Sequence, residues 1–264
     1  MPLLQDLEQF ENVSPGLQWA IFIVACMVAL VAVISVGISI WLSIKYIVYN
    51  RRMNSSGISG KDAARMILDR NGLQHIKVSV VGSMLFGNSY SHYFKKVRLR
   101  RLTTKKPSIT SLAMGAEKSA LAILDKEGDK DMRTRVILTP LMYLGPFAFI
   151  PLVAIGVGID LVMFNFSGVA TTIAAALGLG IYVVSFVLSI MTLKTERKAQ
   201  ARACVIMRQE NLATEEEIDM MKELYKLYNI QYVNDVILEF LQLVLKVLQL
   251  VAKVQGNSSS SAND

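Results

Sequence analysis

The sequence predicts a mainly α-helical membrane protein, with three to four transmembrane helices and a small α+β domain on the inner side. Three observations carry this. Of 264 residues, 53% are hydrophobic and only 19% charged, against about 25% charged in an ordinary soluble domain. Three apolar runs, 17–49, 136–164 and 168–193, exceed the roughly 20 residues that a span requires. Between Asn50 and Arg135 stand 18 Lys/Arg against 7 Asp/Glu, a local excess of +11.

Residues 1–16 carry Asp6, Glu8 and Glu11 with no Lys or Arg, which fits neither a secretory signal nor an Arg-rich leader. They read as an outer N-terminal segment. The first span, 17–49, holds a single charge, Lys45, and is flanked by Arg51 and Arg52. The positive-inside rule therefore puts the N-terminus outside and 50–135 on the cytoplasmic side of a bacterial inner membrane, or the matrix side of a mitochondrial one.

Within 50–135, Ser59-Gly60-Lys61-Asp62 resembles a capping box that opens a helix through "AARMILDRN", ended by Gly72. "HIKVSVV" (75–81) and "FKKVRLRRL" (94–102) are strand-like, and the link "GSMLFGNSYSHY" is turn-rich. Ser108 is placed to cap a helix containing "SLAMGAEKSALAIL" (111–124), which ends near "DKEGDKD". Spans two and three form a hairpin about "NFS" (165–167). Inner-side helices fill 194–230, the second opened by a Thr214–Glu217 capping box. In 231–254, Asp235, Glu239, Gln242, Lys246, Gln249 and Lys253 recur at steps of 4, 3, 4, 3 and 4 on an otherwise apolar helix. Such a stripe suits a fourth span packed against protein, or a helix lying along the interface. A disordered tail is expected over 255–264.

This order of parts resembles the YugP-like family of membrane zinc metallopeptidases over roughly residues 40–254. "AARMILDRNGL" (63–73) is the most specific stretch, followed by "IKVSVV", "VRLR", the 111–124 helix, the hairpin and an acidic residue on an inside helix. The resemblance implies a zinc helix bearing H-E-x-x-H, whose two His grip the metal while the Glu activates water. Alignment on "SALAIL" puts those positions on Gly115, Ala116 and Ser119, none of which can do this chemistry. Glu196 falls where the family places a carboxylate ligand and remains as a residual ligand-like group, though a lone carboxylate holds zinc weakly and the residue reads first as a solvated or Arg-paired glutamate. His75 and His92 are the only histidines, and neither stands in such a motif. His92, in "SHY", reads as a surface turn residue.

Other catalytic patterns are missing. Ser119 lacks a G-x-S-x-G elbow, Cys204 lacks a local acid–base partner, and no phosphate-cradling glycine motif occurs. Cys26 and Cys204 have no C-x-x-C spacing. The expectation is an inactive homologue, with no cofactor, serving as a structural or adaptor subunit of a membrane protein complex. The alternatives are an active peptidase with a non-standard metal site and a small transporter or channel element. The last would use Asp160, which otherwise snorkels to the nearby interface.

Contact surfaces are expected at the small-residue pairs Gly115/Ser119 and Ala174/Gly178 and along the polar stripe. Expected partners are membrane lipids and other membrane subunits. Lys95, Lys96, Arg98, Arg100, Arg101, Lys105 and Lys106 form a basic run suited to anionic lipid headgroups or an acidic partner, with nucleic acid disfavoured.

Overall fold

The computed structural model describes residues 13–82, 87–163 and 168–260. Helix α1 (Pro15–Arg51) is followed by α2 (Gly60–Arg70), then strands β1 (Lys77–Val81), β2 (Ser89–Ser91) and β3 (Lys96–Arg100). One helical turn, α3 (Arg101–Thr104), leads to α4 (Ile109–Lys126). Three long helices complete the chain: α5 (Lys130–Met163), α6 (Val169–Gln209) and α7 (Glu215–Ser260).

Two of the described helices, α1 and α6, are long and apolar enough to cross a membrane. Helix α5 adds a shorter apolar stretch, Pro151–Met163. The sequence leads one to expect three or four spans, and two meet the test of length and composition. The hairpin turn at 165–167 lies outside the described residues, as does most of the outer segment.

Contacts divide the chain into two compact units. One gathers Gly37–Pro140 and Leu188–Tyr232, the other Met1–Val36, Leu141–Val187 and Val233–Asp264. In the first, local chemistry sets each helix end. The Ser59 side chain caps α2 by accepting from the Asp62 N–H. Gly72, at φ 67°, closes the helix, with Leu73 N–H donating to Leu68 O and Gly72 N–H to Asp69 O. That pattern needs a left-handed residue, which glycine adopts without strain. Helix α4 starts from a reciprocal Ser108/Ser111 capping box and ends the same way at Gly128, φ 69°. Asn211 plays this part after α6, at φ 52°.

The sheet has the order β1-β3-β2. β1 runs parallel to β3, Val78 opposite Val97, and β2 pairs antiparallel, Tyr90 opposite Val97. Val97 and Leu99 point inward and are fully buried, which is the alternation visible in the sequence. β2 is a correction: three residues between Asn88 and His92 read as turn, yet they form the sheet's second edge.

Helix α4 is the centre of this unit's core, buried on nearly every side. It crosses α2 so closely that a Cβ on Gly115 would collide with the Gly60 carbonyl. One turn on, the Ser119 hydroxyl donates to Ala64 O at 3.3 Å. The buried Tyr225 hydroxyl of α7 donates to Ala113 O at 2.6 Å, fastening α7 to α4. Glu217 holds the loop after α1, accepting from the Ser55 N–H and hydroxyl at 2.6 and 2.7 Å.

In the second unit, α5 and α6 meet at Gly156, where an added Cβ would stand 2.8 Å from Ala174 Cβ and from Thr171 Cα. Asp160 is 3% exposed and does not snorkel. Its carboxylate accepts from the Ala170 and Thr171 N–H groups at 3.0 and 2.7 Å, capping the first turn of α6. A buried carboxylate at a helix N-terminus satisfies donors that the helix itself leaves open. The inner-side helix opened at Thr214–Glu217 and the striped helix expected over 231–254 are one, which runs to Ser260, past the expected start of the tail; residues 261–264 lie outside the described chain.

The Gly115 contact gives a direct test. Gly115→Ala should cost about 2–3 kcal/mol, because a methyl there meets backbone that cannot swing aside. Gly37→Ala, where an added methyl meets nothing, should leave the thermal midpoint unchanged or slightly raised. Melting of the two purified variants checks both.

Candidate functional site

The positions aligned with the family's motif do not line the cavity beside α4. Gly115 and Ser119 face α2, and Ala116 is fully buried in the core. A helix advances about 100° per residue, so the opposite side of α4 presents different residues. Met114, Glu117 and Lys118 line a cavity of about 300 Å³, together with Glu196 and Gln200 of α6.

Four charges meet there. The Lys118 ammonium lies 3.1 Å from Glu117 Oε2 and 3.1 Å from Glu196 Oε2. Arg135 of α5 donates from Nη2 to Glu196 Oε1 at 2.5 Å. Gln200 donates to Glu117 Oε1 at 2.9 Å, and Asn229 of α7 donates to the Gln200 carbonyl at 2.8 Å. Glu117 and Lys118 are 5% and 9% exposed, so their pairing matters. An unpaired ion at such depth costs several kcal/mol.

The protonation balance follows from this geometry. Burial pushes the Glu117 carboxyl above its ordinary value, with Lys118 pulling against it. Burial also acts to raise Glu196, but the Lys118 ammonium and then Arg135 outweigh it and hold the carboxyl low. Burial disfavours the Lys118 charge, yet the two carboxylates overcome it and leave the ammonium harder to deprotonate. Glu196 is thus neither solvated nor a lone ligand. It is an ionised carboxylate clamped by two cations.

The remaining sequence candidates lie elsewhere. His92 Nδ1 is 2.6 Å from Asp125 Oδ2, which also accepts from the Tyr90 hydroxyl at 2.6 Å. His92 is therefore held at the β2–β3 hairpin, and His75 is exposed. Cys204 is buried, and burial pushes its thiol up. Lys95, Arg100, Arg101, Lys105 and Lys106 are exposed, with Lys96 and Arg98 half-buried along β3. Along α7, Asp235 accepts from Ser35 of α1 at 3.0 Å, and Lys246 lies over the Tyr182 ring at 5.3 Å. Gln242 and Gln249 are exposed and Glu239 half-buried; the Lys253 side chain lies outside the described residues. The small-residue pairs prove to be internal. Gly115 and Ser119 pack on α2, Ala174 packs on Gly156, and Gly178 is buried. They are not a free contact surface.

Alignment by sequence order alone misses Glu117, Lys118, Arg135, Gln200 and Asn229. One signal was there to read. Glu117-Lys118 is an isolated charged pair in the middle of an apolar helix, and such a pair needs a partner across the core.

A family model described as "Putative neutral zinc metallopeptidase" matches residues 23–251, and the chain belongs to that family. No match to a curated protein or to a solved structure was found. The zinc that the family description implies would need imidazole, thiolate or carboxylate donors. The cavity offers two carboxylates, each already engaged by Lys118, and no imidazole or thiolate among its lining residues. Among the described residues no group of three or more His, Cys, Asp or Glu is placed to hold a metal. The donor set does not fit zinc.

The sign of the pH dependence follows. Glu196, held low, contributes stability that is fully present above its ordinary value of 4.5 and is lost as the pH falls through its lower folded value. Lys118, raised, contributes stability present below 10.5 and lost as the pH climbs through its higher folded value. Glu117, raised, works against Glu196 at acid pH. Glu196→Gln leaves two cations facing each other and should cost about 3–5 kcal/mol near neutrality. Melting curves of wild type and variant from roughly pH 3 to 8 should converge toward the acid end.

Proposed function

We propose that this chain is a catalytically inactive member of its family that serves as a structural or adaptor subunit of a membrane protein complex. One observation carries the inactivity: the face of α4 turned to Glu196 bears Met114, Glu117 and Lys118, and both carboxylates are bound to the lysine. Metal-assisted peptide hydrolysis needs an activated water and a group free to take its proton. Here the basic oxygens are already committed, and the cation beside them is an ammonium.

The adaptor role is supported by what the chain leaves uncovered. Helix α1 presents Trp19, Phe22, Leu30, Val33 and Trp41, each more than half exposed. Such surface suits lipid or the helices of other subunits. The charge distribution favours a bacterial or mitochondrial inner membrane, the N-terminus outside and 50–135 on the cytoplasmic or matrix side. The exposed basic residues from Lys95 to Lys106 then suit anionic headgroups or an acidic partner. A transporter role draws no support from Asp160, whose carboxylate is occupied in capping α6.

Native extraction from the source membrane in mild detergent tests the role. A stoichiometric set of co-purifying membrane subunits is the expected outcome, together with no peptide hydrolysis above background. A chain that extracts alone would remove the adaptor reading, and hydrolysis that Glu196→Gln abolishes would restore the peptidase.

A further inference from the structure

We propose that the Lys118 ammonium is this chain's resident cation: it stands between Glu117 and Glu196 where a metal site would hold a divalent ion, ties α4 to α6, and keeps divalent metal out. This deepens the reading of the site as non-catalytic and does not depend on the adaptor role.

The geometry is that of a small ionic cross-link. One ammonium reaches a carboxylate beside it on α4 and another 78 residues further along the chain, at 3.1 Å in each case. All four carboxylate oxygens are engaged. Lys118 holds one on each glutamate, Gln200 holds the second of Glu117, and Arg135 holds the second of Glu196. With all four groups ionised, two carboxylates face one ammonium and one guanidinium and the charges balance. A zinc ion entering the cluster would add two positive charges to a buried site that already contains two cations, Lys118 on one oxygen of each glutamate and Arg135 on the other oxygen of Glu196.

Exclusion therefore comes from occupancy and not from a closed door. Glu117, Lys118, Glu196 and Gln200 line a cavity of about 300 Å³, with room for an ion to approach. Remove the ammonium, and two acidic groups would be left converging on a space with one counter-charge too few. That is the condition under which a divalent cation is drawn in.

The test uses the purified full-length protein in detergent, with zinc content and thermal midpoint as readouts. Wild type extracted from metal-replete cells should carry far less than one zinc per chain, and neither added zinc nor a chelator should move its midpoint. Lys118→Met should melt several degrees lower, with added zinc restoring about 3 °C or more. Lys118→Arg, which keeps the charge, should remain indifferent to zinc. Stoichiometric zinc in the wild type, lost to a chelator together with stability, overturns this proposal and the inactive reading alike. A Lys118→Met protein that folds but ignores zinc overturns the exclusion. Should that variant fail to fold, the wild-type zinc content and the Lys118→Arg response decide. A zinc-free wild type that extracts without partners leaves this proposal standing and removes only the adaptor role.

Discussion

A charge taken out of water must meet its opposite at close range, and this requirement organises the centre of the larger unit. Glu117 and Lys118 are adjacent on α4, so neither can be turned toward solvent without unwinding a helix that is buried from Ile109 to Leu124. Glu196 on α6 and Arg135 on α5 complete the balance. Three helices far apart in sequence are thereby tied at one point. Pairing of this kind is a weak source of net stability, because desolvation offsets most of the attraction. It is a strong source of specificity, because any other arrangement strands an ion in a medium of low dielectric.

What turns Glu117 and Lys118 toward α6 is the absence of a side chain on another face. Gly115 lets the backbone of α4 press against Gly60, and Ser119 follows one turn later with its hydroxyl on Ala64 O. A larger residue at 115 would push the helix away or rotate it. The small residues that look like eroded catalytic positions therefore have a present task, setting the rotation of α4 and hence which residues line the cavity.

Much of this was legible in the sequence. Ser59, Ser108 and Thr214 mark helix starts, and Gly72 marks a stop, because capping is decided within four or five residues. Val97 and Leu99 fall on the same side of an alternating strand, a pattern visible in the sequence. The rotation of α4 could not be read, since Ala, Leu, Met and Ile surround the helix and no apolar face stands out. Strand β2 was hidden because Ser89 and Ser91 flank Tyr90 and pair only once β3 lies beside them. The fate of Asp160 was also non-local. Only with the start of α6 in place do two open N–H groups lie within its reach, giving a buried carboxylate a reason to stay inside.

A metal ion in a hydrolase does two separable things. It draws ligands from different helices to one point, and it lowers the pKa of a bound water so that hydroxide exists near neutrality. An ammonium can do the first, since three N–H donors reach separate carboxylates as directionally as a small cation does. It cannot do the second. It carries one charge, has no vacant orbital to accept a water oxygen, and bonds to water only through hydrogens it already holds. Lys118 between Glu117 and Glu196 makes such a junction, and an ammonium in that place does not activate water. A zinc-peptidase family model matches residues 23 to 251, and in this chain an ammonium stands where α4 meets α6. The packing also sets what an exchange to imidazole would meet. An imidazole placed at Gly115 would meet the Gly60 carbonyl, and one placed at Lys118 would leave Arg135 still clamped on Glu196.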